Sequence, residues 1–125
     1  MAPSPTSHRL LAGLLAGASV AHVANPGLFD SMVPRALPGS PRTWTYASAA
    51  AELALAAGVA LPRTRRPAAL AAAAFFVGVL PANVKMAYDW RDRGPALRAA
   101  AIARLPLQVP LVLWAYGVAR KAEAR

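Results

Sequence analysis

Apolar positions along this chain gather into four long runs separated by short polar or basic turns. The runs cover about 10–24, 44–61, 68–88 and 97–119. A helix rises 1.5 Å per residue, so about 20 mostly apolar residues cross a hydrocarbon core of roughly 30 Å. Backbone groups in lipid must satisfy one another, and four such runs therefore predict four membrane-spanning helices packed as a bundle. Pro62-Arg63-Thr64-Arg65-Arg66-Pro67 is a tight basic turn, and Pro67 suits the first turn of the next helix. Asp89 to Pro95 is a polar turn closed by a Gly-Pro breaker. The segment Asn25 to Thr43 holds Pro26, Pro34, Pro38 and Pro41, too many for one helix. Within it Phe29, Met32, Val33 and Leu37 recur at helical spacing, which predicts a short interfacial helix between the first and second spans.

The first run has a second reading as a secretory signal, with Arg9 ahead of it and Ser19-Val20-Ala21 as a small-residue cleavage site. Gly13, Gly17 and Ala21, four residues apart, argue instead for a retained helix with a face suited to close packing.

Composition strengthens the membrane reading. The 125 residues are 57% apolar and 15% charged, more apolar and less charged than an ordinary soluble domain. The net charge of +9 would suggest nucleic acid in a soluble protein, but its basic residues cluster at the ends of apolar runs and act as membrane flanks. With four spans, Arg9, Arg63, Arg65, Arg66, Arg120, Lys121 and Arg125 share one side; Arg35, Arg42, Arg91, Arg93 and Arg98 share the other. The excess on the first side puts both termini of a multi-pass cell-membrane protein in the cytoplasm. Trp44, Tyr46, Tyr88, Trp90, Trp114 and Tyr116 lie near span ends, as an aromatic belt requires. The absence of cysteine excludes disulfides, thiolate metal sites and thiol redox pairs.

Ionisable groups inside a span are costly and each needs a reason. Glu52 lies midway through the second span, on one face with Thr45 and Ser48. Arg104 and Gln108, four apart on the fourth span, offer it a partner, and a Glu52–Arg104 pair is expected. Such a pair serves a ligand or simply fixes helix order, and Arg104 can alternatively snorkel to the interface. Pro106 and Pro110 each remove an N–H, so a kink is expected in the fourth span. In the third span, Asn83 can hydrogen-bond a helix broken near Pro81, while Lys85 binds a head group or snorkels. His22 is the single intramembrane histidine, a donor to a ligand or a capped structural residue; His8 lies in the N-terminal tail. No metal is expected. Phosphate-binding loops, nucleophile elbows and His-Glu-x-x-His are all missing, so soluble-type catalysis is not expected.

Several pieces together resemble a known family. Asn25-Pro26, Glu52, Leu61-Pro62-Arg63, Leu80-Pro81-Ala82-Asn83 and Arg104-Leu105-Pro106-Leu107-Gln108 are similar to the small four-helix DoxX-like membrane proteins of bacteria. The resemblance implies a four-helix integral membrane protein, with relatives linked to quinone-coupled oxidation, oxidative-stress complexes and protein folding. Its cysteine-pair chemistry does not carry over to a chain without cysteine. The expected function is an accessory subunit of a membrane redox or quinone-linked complex. Its polar cluster of His22, Glu52, Asn83, Lys85, Arg104 and Gln108 would hold a quinone or anchor a redox partner. Two rivals stand beside it: an oligomeric transporter or channel using Glu52, and an intramembrane enzyme using Glu52 and His22 as acid and base. The partners are the bilayer, membrane redox proteins and, for a conduit, further copies of the chain, with no nucleic acid.

Overall fold

The computed structural model describes residues 7–123, and every regular element among them is helical. In chain order these are α1 (Ser7–Ala24), α2 (Pro26–Asp30), α3 (Pro41–Ala60), α4 (Arg65–Gly78), α5 (Leu80–Asp89) and α6 (Pro95–Glu123). Arg125, counted among the basic flanks, lies outside the described residues. His8, expected in a tail, sits in the first turn of α1.

Local chemistry sets the boundaries. The Ser40 side chain accepts from the Thr43 N–H, and Pro41 occupies the first helical turn, where its missing N–H costs nothing. Gly39 and Gly94, at φ of 82° and 100°, make the left-handed turns that deliver the chain into α3 and α6. Leu61 is extended and Pro62 follows, so α3 ends with free carbonyls. Arg65, itself buried, reaches back to donate to the Val59 and Ala60 carbonyls at 2.8 and 2.9 Å. Thr64 Oγ1 does the same for Gly58 at 2.7 Å.

The third apolar run is a broken helix. Val79 ends α4 and begins α5, and Pro81 lies in the first turn of α5, where it cannot supply the N–H that would continue α4. Taken together, Arg65–Asp89 is 25 residues with a mean hydropathy of 1.7 over its most apolar stretch; Pro95–Ala122 is 28 residues at 1.4. Each is long and apolar enough to cross a membrane. The first and second runs form α1 and α3, which are shorter, at 18 and 20 residues, and are not among the helices that meet that length and hydropathy. Despite Pro106 and Pro110, α6 runs uninterrupted as a helix.

Helix α1 lies along α3 and α4 along α6, with α3 against α4 and α1 touching α6. The core joins Leu11 and Leu15 of α1, Val59 of α3, Ala69 and Ala72 of α4, and Ala115 and Val118 of α6. Small residues bring α3 and α4 close: a Cβ on Gly58 would lie 2.6 Å from that of Ala68. Gly13 and Gly17, expected to seat a neighbouring helix, face open space instead, and Ala21 is exposed. The contact face of α1 is the Leu11, Leu15, Ser19 row on the opposite side of the helix, with Ser19 donating to the Ala49 carbonyl at 2.7 Å. Helix α1 supplies Leu11 and Leu15 to the core.

Polarity runs inside out for a water-soluble bundle. Thr45, Glu52, Asn83 and Gln108 are buried, whereas Val20, Leu53, Val77, Val109 and Leu113 are exposed.

Candidate functional site

The buried face of α3 is the stripe Thr45, Ala49, Glu52, Ala56, Val59, at the three- and four-residue spacing of one helix side. Toward Val59 it meets close-packed alanines and leucines. Toward Thr45 it opens on a cavity of about 320 Å³. The walls are largely apolar, and the polar side chains on them are His22, Thr45, Ser48, Glu52, Asn83 and Arg104. Leu28, Phe29, Met32 and Val33, from α2 and the turn after it, cover one side, and Phe75, Phe76 and Leu111 form the opposite side. The cavity lies where α1 ends, α3 begins and the α4–α5 break falls.

Two groups on this cavity are buried without a hydrogen-bond partner, Glu52 Oε1 and Asn83 Nδ2. Both residues are only 3% exposed. An orphaned donor or acceptor costs about 1–3 kcal/mol, so two at one place are a local cost to the fold. His22 Nδ1 stands 3.2 Å from Glu52 Oε1, an ion-pair distance. Its hydrogen bond, however, goes to the Ala18 carbonyl at 2.7 Å, so Nδ1 carries the proton and aims it away from the carboxylate. The imidazole stacks on Phe29, with centroids 3.8 Å apart and planes 19° from parallel.

The expected Glu52–Arg104 pair does not form. Arg104 Nη1 donates to Gln108 Oε1, and the Gln108 amide donates to the Phe76 carbonyl. That carbonyl is one of the last in α4, whose early end leaves it without a helical partner a turn on. Gln108 therefore bridges α6 to the helix break, and Arg104 reaches the cavity from beside it. Lys85 is not among the cavity residues; it donates to the Ser31 carbonyl at 2.8 Å and to Asp89, tying α5 to the connection after α2. Of the six expected site residues, His22, Glu52, Asn83 and Arg104 meet at one cavity; Gln108 supports it, and Lys85 lies outside.

Sequence reasoning missed the cover. Asp30 accepts from Thr45 Oγ1 at 2.6 Å and from Arg42 Nε at 2.9 Å, fastening the end of α2 to α3. The Thr45 hydroxyl, then Arg42, hold the Asp30 carboxyl below its ordinary range against a smaller opposing effect of burial. Asp30 in turn raises Arg42. Trp44 Nε1 donates to the Pro38 carbonyl at 2.6 Å, anchoring the far side of the same connection. The available signal was a lone acid, Asp30, between a proline-rich turn and the Arg42-Thr43-Trp44-Thr45 start of a helix.

A family model described as Domain of unknown function (DUF8561) matches residues 11–119, which takes in α1 and nearly all of α6. No curated protein and no solved structure matches the chain.

Proposed function

The chain belongs to the DUF8561 family, and for it we propose an integral membrane protein whose interior cavity binds a lipophilic small molecule. In this reading α1, α3, the α4–α5 pair and α6 all cross the bilayer as a four-helix bundle, and α2 lies at the interface. The outward apolar side chains and inward polar ones support it, as lipid demands the reverse of water. So do the cation–aromatic pairs at element ends, Arg91 on Tyr88 at 3.9 Å and Arg93 on Trp90 at 5.5 Å. Arg9, Arg63, Arg66, Arg120 and Lys121 belong to the end opposite the cavity, which makes that end cytoplasmic and opens the site toward the other face of the cell membrane.

The observation that carries the ligand reading is the pair of orphaned groups, Glu52 Oε1 and Asn83 Nδ2, on one apolar cavity of about 320 Å³. That volume is at the small end of ordinary ligand pockets. The role within the cell is that of an accessory, noncatalytic subunit of a redox complex, the part of the reading that rests on the DoxX-like resemblance of Leu80-Pro81-Ala82-Asn83 and Arg104-Leu105-Pro106-Leu107-Gln108. A quinone would fit the donor side of the site, a carbonyl accepting from Asn83, and would supply electron and proton transfer to a partner. A conduit is disfavoured by the interior itself: past Glu52 the space between the helices is filled by Leu15, Val59, Ala72 and Val118.

Mass spectrometry of everything retained after mild-detergent purification tests this, with Glu52→Ala alongside. The expected result is one lipophilic species in the wild type, lost in the variant. Bulk lipid alone in both, together with liposomal flux abolished by Glu52→Gln, would favour the transporter instead.

A further inference from the structure

We infer that the cavity selects a lipophile whose head is neutral and carries a hydroxyl, an alcohol or phenol that donates to Glu52 and accepts from Asn83. The inference rests on the pocket reading above and adds the chemistry of the head group. Glu52 Oε1 lacks a donor because the nearest N–H, on His22 Nδ1, is committed to the Ala18 carbonyl. Asn83 Nδ2 lacks an acceptor. Both atoms are desolvated on one cavity, so a ligand that answers only one leaves the other buried and unpaired.

Head groups then sort by what they offer. A ketone, quinone carbonyl or ether accepts from Asn83 and leaves Glu52 unanswered. A carboxylate does the same and adds like charge beside Glu52. An alkylammonium answers Glu52 but has no lone pair for Asn83, and it meets Arg104 on the same wall. A hydroxyl answers both, with one O–H to give and lone pairs to receive. The apolar remainder lies against Phe75, Phe76 and Leu111, with Phe29, Met32 and Val33 over it.

Trp44 lines the cavity and reports on occupancy. With Trp90→Phe and Trp114→Phe in every preparation to isolate it, quenching of its emission is titrated with para-hexylphenol, its methyl ether and para-hexylbenzoate, in detergent, for the otherwise wild-type chain, Glu52→Leu and Asn83→Leu. The phenol is expected to bind about tenfold more tightly than the ether, the reach of one buried hydrogen bond. In Glu52→Leu that preference disappears while the ether's affinity is kept, and in Asn83→Leu phenol and ether weaken together. Equal wild-type affinities for phenol and ether would overturn the head-group inference and leave the pocket standing. Binding of none of the three, with Trp44 emission unmoved, would overturn both. If Glu52→Leu fails to fold, the wild-type and Asn83→Leu titrations still decide the matter.

Discussion

The two ends of the bundle are built on opposite terms. Around Leu15, Val59, Ala69 and Val118 the helices close over small apolar residues, with Gly58 and Ala68 at the limit of approach. Around Glu52 and Asn83 the same helices leave a cavity and two unpaired polar groups. At the closed end buried Arg65 has the Val59 and Ala60 carbonyls as partners, whereas the open end retains costs that apolar side chains would remove. On α3 the closed end centres on Val59 and the cavity on Glu52, about two helix turns apart.

Substitutions that strain the closed end should cost most. Leu11→Ala removes a side chain that is 0% exposed and does not line the cavity, and a loss of about 2–3 kcal/mol is expected in detergent unfolding, with ligand affinity little changed. Gly58→Ala forces a Cβ to within 2.6 Å of Ala68 and drives α3 from α4; about 1–2 kcal/mol should be lost net of the better helix propensity of alanine. If Gly58→Ala melts at the wild-type temperature, the two helices are not as close as described. At the boundary between the ends, Gln108→Leu strips Arg104 and the Phe76 carbonyl of their partner. A cost of about 1 kcal/mol is expected, with weaker ligand binding, because Arg104 then loses its fixed position at the cavity.

The smallest effect concerns the cover. Asp30 is ionised more readily in the fold than its ordinary value of 3.8, owing first to Thr45 and then to Arg42. Since its folded pKa is lowered, what it contributes is fully present above that ordinary value and is lost as pH falls through the lowered one. The indole N–H resonance of Trp44, bonded to Pro38 on the same connection, should therefore hold steady from neutral pH to about 4 and shift only below it. Asp30→Asn should show the low-pH signal throughout; a wild-type resonance that does not move below pH 4 would contradict this role for Asp30.

Much of the helical layout was legible, because apolar runs and proline–glycine punctuation act locally. Ser40-Pro41, Gly94-Pro95 and Leu61-Pro62 mark element ends whatever surrounds them. The break at Val79 was visible in part through Pro81 and Asn83. Partnership was not legible. Periodicity puts Thr45 and Glu52 on one face and Arg104 and Gln108 on another, but which atoms meet depends on how each helix is rotated, and that is set by packing across the whole bundle. Arg104 thus turned to its own neighbour Gln108, and it is His22, another member of the expected cluster, that stands beside Glu52. The Gly13–Gly17–Ala21 row failed for the same reason: spacing identifies a face, not what lies against it. Arg65 was read as one flank charge among three, whereas the carbonyls left bare by Pro62 draw it inward.

Glu52→Leu tests the central claim most directly, with unfolding in detergent and retained small molecules measured on the same preparation. If the open end is a binding site maintained at the expense of stability, the variant should be more stable by about 1 kcal/mol, as when a buried polar group without a hydrogen-bond partner gives way to an apolar side chain, and should come off the column without its ligand. A variant that is less stable, and that keeps the same bound species as the wild type, would make Glu52 a structural residue and contradict the account.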